Sequence, residues 1–266
     1  MCAGWTPQQV PVASIWDGGL AAERCDEGIW PQLSLFNSAR VGRVITMKAK
    51  APKRVGRGKH SYLQFDALLS ASQQVAARKF FASEDVQESM YSAGTSDGDD
   101  GDRKSRITQL GRPGAQPPPE IPAWLDRKLR EACKKTHTIY GNKICPLGVD
   151  KRGRWTPRFE PVQYAEYAAG GHYRGWHTDA SAEEHDEILD LRCVTIVLML
   201  SDQDAYTGGE LEVRLGVDGK PSKVPLRAGD AVGFPAKWLK HRVNITKSGK
   251  RQTLVYWARR PGTRIM

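Results

Sequence analysis

Apolar residues recur at helical spacing in two places along this chain. In Pro122-Ala-Trp-Leu-Asp-Arg-Lys-Leu-Arg-Glu-Ala-Cys-Lys-Lys, the side chains of Trp124, Leu125, Leu129 and Cys133 share one face with charges opposite. Pro122 supplies a φ suited to a first turn, so the pattern predicts a helix from Pro122 to Lys134. Upstream, Phe65 to Met90 is built from good helix formers with an interrupted apolar stripe, and predicts a second helix. Beyond Phe159 the period shortens. Val162 to Tyr167, Cys193 to Leu200, Glu210 to Leu215, Ser222 to Leu226, Ala231 to Pro235, His241 to Ile245 and Thr253 to Trp257 are β-branched and aromatic runs separated by Gly, Asp and Pro. Strands so closely spaced predict a sandwich or barrel. Between the two patterns, Ser92 to Asp102 and Gly111 to Pro122 hold too little apolar content to bury, and predict mobile or extended chain. The chain thus divides into an N-terminal region of no assigned role (1–91), a Gly/Asp/Pro-rich linker (92–122), a helical support region (123–158) and a β-rich core (159–260).

With 266 residues, 39% hydrophobic and 26% charged, the chain is long enough for one large or two small globular domains. Its longest apolar run, Val194 to Leu200, is broken by Thr195 and falls far short of the roughly 20 residues of a membrane span, which predicts a soluble protein. Met1 to Gly19 lacks the basic start and unbroken apolar stretch of a secretory signal. The five cysteines (Cys2, Cys25, Cys133, Cys145, Cys193) are odd in number and include no Cys-x-x-Cys pair. Neither a disulfide framework nor a thiolate zinc site is expected, and a reducing compartment such as the cytoplasm is the plainer reading.

The net charge of +10 is unevenly spread. Gly28 to Phe65 holds eight Lys or Arg and no acid, the chain after Asp230 holds nine and no acid, and Phe80 to Asp102 holds seven acids and no base. Such runs suit a nucleic acid or an acidic partner, but solvated faces and a polar loop are the commoner origin, so a nucleic-acid partner is not favoured.

One tripeptide carries chemistry. In extended chain alternate side chains share a face, so His177 and Asp179 of His-Thr-Asp can reach one ion, with a third ligand supplied from elsewhere. Two histidines and a carboxylate on one face of a metal leave other positions open, an arrangement suited to non-haem iron(II). By itself His-x-Asp also arises by chance at surfaces.

The residues around it are more specific. Tyr167-Ala-Ala-Gly-Gly-His-Tyr-Arg-Gly-Trp-His177-Thr-Asp179 is followed by Arg192 to Ser201, Gly208-Gly209-Glu210, Val224 to Pro235 with Gly229-Asp230, His241-Arg-Val, and Arg251 ten residues beyond His241. In this order the sequence resembles the iron(II)/2-oxoglutarate oxygenase superfamily, specifically its prolyl 4-hydroxylase and PKHD-type hydroxylase branch, over Phe159 to Trp257. Residues 1 to about 100 carry no resemblance.

The resemblance implies a double-stranded β-helix, a jelly-roll core that is mainly β and buttressed by N-terminal helices. It implies His241 as the third metal ligand, Fe(II), 2-oxoglutarate and O2 at the site, and ascorbate as reductant. Arg251 is the implied partner of the distal carboxylate of 2-oxoglutarate, for which a planar guanidinium fork is well shaped; prolyl 4-hydroxylases mostly use Lys there, so Arg favours the PKHD-type side. The stretch from Tyr167 to His177 is one residue longer than usual, which leaves Tyr164, Tyr167 and Tyr173 open as the cosubstrate's tyrosine, with Tyr167 and Tyr173 preferred. Gly208 and Gly209 read as a tight turn, Glu210 as a structural partner, and His172 and His185 as solvated or locally bonded. Because Asp179 is present, halogenation is disfavoured.

The implied reaction hydroxylates an unactivated carbon, most plausibly in a prolyl-type residue of a peptide or protein. Trp176 and Trp238 flank the ligand positions and are candidate walls for an apolar ring, or core aromatics at the barrel mouth. The basic segment from Arg40 to Lys59 is a candidate lid. Rival readings are a nucleic-acid oxygenase or demethylase, a small-molecule hydroxylase, and a non-enzymatic metal-binding module on the same fold. No feature assigns an oligomeric state.

Overall fold

The computed structural model describes residues 50–94, 101–110, 120–141, 144, 152, 154–180, 192–216 and 219–260, all within the second of two compact units, Met47–Met266. Its strands are β1 (Lys53–Arg57), β2 (His60–Phe65), β3 (Tyr91–Gly94), β4 (Arg103–Leu110), β5 (Arg158–Phe159), β6 (Val162–Tyr167), β7 (His172–His177) and β8 (Arg192–Met199). They continue with β9 (Tyr206–Gly208), β10 (Leu211–Arg214), β11 (Pro221–Lys223), β12 (Ala231–Pro235), β13 (His241–Val243), β14 (Thr246–Gly249) and β15 (Arg251–Arg259). Among the described residues three helices accompany them: α1 (Ala71–Phe81), α2 (Glu84–Glu88) and α3 (Ala123–Tyr140).

The main sheet runs β1-β2-β12-β8-β15-β6-β4-β7-β13-β10-β11, with β3 on β4 and β5 on β15; β9 and β14 form a separate pair. Every pairing is antiparallel, and β4 turns the corner, pairing with β6 along Arg106–Leu110 and with β7 at Arg103 and Lys104. The sheet thereby curls into the double-stranded β-helix that the sequence led us to expect. Strand alternation sorts the core into two layers. Leu63, Tyr164, Ile196, Leu198, Leu254 and Tyr256 face the helices, packing with Phe81, Leu125 and Leu129. Tyr62, Ala165, Tyr167, Val197, Met199, Phe234 and Val243 fill the barrel.

The strands β6 and β12 have the bounds read from the sequence, and α3 extends the expected helix to Tyr140, ending at Gly141 with φ 72°. Its buried residues include Leu125, Leu129 and Cys133. The region from Phe65 to Met90 holds two helices rather than one. A capping box starts α1, with Ser70 Oγ accepting from the Gln73 amide and Gln73 Oε1 from the Ser70 amide, and Ser83 precedes α2.

Within the stretch 92–122 that composition marks as linker, β4 is an interior strand, and Ser92, Ala93 and Gly94 pair with it. Ser105, Ile107, Thr108 and Leu110 are buried there, so partners distant in sequence order a segment whose flanks look unstructured. Of 1–91, residues 53–91 contribute strands and helices to the fold, with β2 seated against β12. Residues 40–49 of the candidate lid lie outside the described residues, and its remainder includes β1, which pairs with β2. Cys133 is buried and free, whereas Cys193 is disulfide-bonded, against the expectation of no such bond; spacing alone does not disclose pairing. Among the described residues no helix is long and apolar enough to cross a membrane.

Candidate metal centre

His177 ends β7 and His241 opens β13, and the two are register partners, so neighbouring strands bring them side by side with ring centroids 4.3 Å apart. Asp179 lies just past β7, where its amide donates to the Ala236 carbonyl at 3.0 Å. The ligand atoms of His177, Asp179 and His241 lie within 4.8 Å of one another. Nδ1 of His177 is 2.9 Å from the Gly175 carbonyl and Nδ1 of His241 is 3.0 Å from that of Leu239. A carbonyl only accepts, so each Nδ1 carries the hydrogen and each Nε2 keeps its lone pair. Nε2 of His241 in turn lies 3.6 Å from Asp179 Oδ2.

Electrostatics favours the ligating protonation states. Burial, then the neighbouring His241, pushes His177 from 6.5 down to about 4, which keeps the imidazole neutral. Burial alone would raise the Asp179 carboxyl; His241, His177, Arg192 and a 2.6 Å hydrogen bond from Thr195 Oγ1 reverse this and hold it below its ordinary value. Arg192 also donates to the Asp179 carbonyl while gripping Glu160 through two nitrogens, at 2.8 and 2.7 Å. Tyr173 stacks on His177 at 3.8 Å and Phe234 packs against His241, fixing both rings. Two neutral imidazoles and a carboxylate converging on one point suit iron(II) and its divalent relatives.

Arg251 opens β15, register-paired with Tyr167. It is 1% exposed, and among the described residues its Nε and Nη2 have no hydrogen-bond partner, while Nη1 donates to Thr253 Oγ1 at 3.4 Å. Burial pulls this guanidinium below its ordinary value, opposed by Tyr167 and Tyr206. Thr246 Oγ1 is likewise buried without a partner among the described residues. A buried cation with unfilled donors is costly unless an anion meets it. Gly209 keeps a side chain from crowding these groups: with φ 64°, a Cβ there would come 2.8 Å from Thr246 Oγ1 and 3.0 Å from Arg251 Cδ. A dicarboxylate suits these residues, which present an open fork and a hydroxyl side by side.

Of the tyrosines left open, Tyr167 and Tyr173 pack with the barrel layer, and Arg251 Cζ lies 5.3 Å from the Tyr167 ring centroid. Tyr164 faces the helices, donating to Glu166 and stacking on Phe81. The two tryptophans are not brought to the ligands. Trp176 alternates to the face away from His177, where Arg214 and Arg242 each lie 4.6 Å from its ring. Trp238 packs on the helix-side layer, with Lys59 Nζ 3.3 Å from its centroid. His172 is bonded locally, its ring nitrogens 2.9 Å from the carbonyls of Gly170 and Gly101, and His185 lies outside the described residues. Tyr206 and Thr246 escaped the sequence reading, and Gly209 was read only as part of a tight turn, although two adjacent glycines between strands were a signal for close packing as well.

Residues 162–259 match the model of the 2OG-Fe(II) oxygenase superfamily. A PKHD-type hydroxylase of Hyphomonas neptunium is 31% identical over 204 residues, covering 73% of this chain and 76% of the relative. Another, from Teredinibacter turnerae, is 36% identical over 98 residues, which span 36% of this chain and only 42% of that protein. Among solved structures, a prolyl-4-hydroxylase of Pseudomonas putida superposes with a TM-score of 0.52 at 24% identity, over 76% of this chain and 94% of the other.

Proposed function

This chain belongs to the PKHD-type hydroxylases of the 2OG-Fe(II) oxygenase superfamily, and from that premise we propose that it hydroxylates an unactivated carbon of a prolyl-type residue in a peptide or protein. The observation that carries the reading is the pairing, in one barrel, of converging His177, Asp179 and His241 with the unpartnered fork of Arg251. When bound, iron(II) with 2-oxoglutarate and dioxygen supplies the oxidant for a C–H bond, 2-oxoglutarate leaving as succinate and carbon dioxide. The chain's own residues do the rest. His177 and His241 present Nε2, their tautomers fixed by backbone carbonyls. Asp179 contributes the negative charge, and Arg251 orients the cosubstrate through its far carboxylate. Tyr167, Tyr173 and Phe234 line the interior with apolar surface and keep water from the centre.

The prolyl-type reading is supported by the name of the Pseudomonas putida neighbour, a prolyl-4-hydroxylase. The test is mass spectrometry of proline-containing peptides incubated with the protein, iron(II), 2-oxoglutarate and ascorbate as reductant. Peptides are expected to gain one oxygen in step with succinate. Succinate that tracked a methylated oligonucleotide or a free small molecule, with no peptide oxidised, would refute the substrate and leave the metal centre standing.

A further inference from the structure

We infer that Thr195 is the positioning residue for the metal centre: its hydroxyl staples the one ligand that lies off the sheet to a rigid strand. His177 and His241 are held by their own strands, paired in register. Asp179 lies beyond the end of β7, and its carboxylate has no strand of its own to fix it. Thr195 sits in β8, between Phe234 of β12 on one side and Trp257 of β15 on the other, and is fully buried. It is the polar interruption in the longest apolar run of the sequence, and the structure supplies its reason. Its Oγ1 donates to Asp179 Oδ2 at 2.6 Å, the only hydrogen bond that a side chain gives to that carboxylate among the described residues.

Two features make this a device for orientation. Thr195 is β-branched, so its χ1 is stiff and the donor is fixed before Asp179 arrives. A carboxylate oxygen has two lone pairs, so Oδ2 can accept from Thr195 and still face Nε2 of His241, 3.6 Å away. Without the hydroxyl the carboxylate is free to turn about χ2, and metal binding has to order it at that moment. Partners of this kind are worth about 10- to 100-fold in metal affinity.

The inference rests on the metal-centre reading above. It is tested by titrating the metal-stripped full chain with Mn(II) and following the free ion by electron paramagnetic resonance. Thr195→Val keeps the shape and removes the hydroxyl; Thr195→Ser keeps the hydroxyl and removes the methyl. The dissociation constant is expected to rise about tenfold or more in T195V and to stay within about threefold of wild type in T195S, and a thermal melt without metal checks that each variant folds. A packing role predicts the reverse order, since Ser leaves the larger hole. If T195V does not fold, Thr195→Ala against Thr195→Ser makes the same comparison. Wild-type affinity in T195V, or equal losses in the Val and Ser variants, would overturn the inference while leaving the metal centre intact. No Mn(II) binding by the wild type would remove both.

Discussion

Arg251→Ala tests the cosubstrate half of the site. In the wild type the guanidinium is 1% exposed, and Nε and Nη2 have no partner among the described residues, so it is a buried cation with open donors that a carboxylate would satisfy. Truncating one member of a buried charged pair costs about 2 to 5 kcal/mol of binding, or roughly 30-fold to several-thousand-fold in affinity at about 1.4 kcal/mol per decade. With 2-oxoglutarate at about 100 times the wild-type dissociation constant, the Mn(II)-loaded wild type gains about 2.7 kcal/mol of stability from the ligand. At about 2 to 4 °C per kcal/mol for a domain of this size, the unfolding midpoint should rise by roughly 5 to 11 °C. In the variant the gain should fall below about 1 kcal/mol. Arg251→Lys keeps the charge but not the fork and should fall between the two. The assay is a thermal melt with and without 2-oxoglutarate. An unchanged ligand-induced shift in Arg251→Ala would refute the argument and point to another cation, Lys250 first.

Gly209→Ala should weaken 2-oxoglutarate about tenfold or more at nearly unchanged Mn(II) affinity, since overpacking costs about 1 to 3 kcal/mol and the new methyl crowds Thr246 Oγ1 and Arg251 Cδ; calorimetric titration with each ligand checks it, and unaltered 2-oxoglutarate binding would refute the role given to Gly209. For pH, His177 is held at about 4 against an ordinary 6.5, so the unfolded chain takes up its proton first. The stability it contributes to the metal-free protein is whole above about 6.5 and is lost as pH falls through about 4. Urea midpoints should therefore drop more steeply across that window in the wild type than in His177→Gln, and parallel curves would contradict the assignment.

What was legible in the sequence follows from which interactions are local. His177 and Asp179 were legible because a period of two decides which side chains share a face, and β6 and β12 because Pro161 precedes the one run and Asp230 the other. The same alternation sends Trp176 to the face opposite His177, a consequence that nearness in sequence obscured. Arg103–Leu110 was hidden because its order comes from β6 and β7, more than fifty residues away, while its neighbours are rich in Gly, Asp and Pro. The break between α1 and α2 depends on caps of single residues. The close approach of Gly209 to Thr246 and Arg251 depends on the starts of β14 and β15 meeting the end of β9, and Thr195 read as a flaw in an apolar run because its partner lies 16 residues back.

The most direct measurement is an anomalous-scattering map from crystals of the full chain soaked anaerobically with iron(II) and 2-oxoglutarate. The iron peak should lie within bonding distance of Nε2 of His177, Nε2 of His241 and the Asp179 carboxylate, with 2-oxoglutarate density ending on the guanidinium of Arg251. An iron peak at other side chains, or the far carboxylate of 2-oxoglutarate resting on any residue but Arg251, would contradict the account.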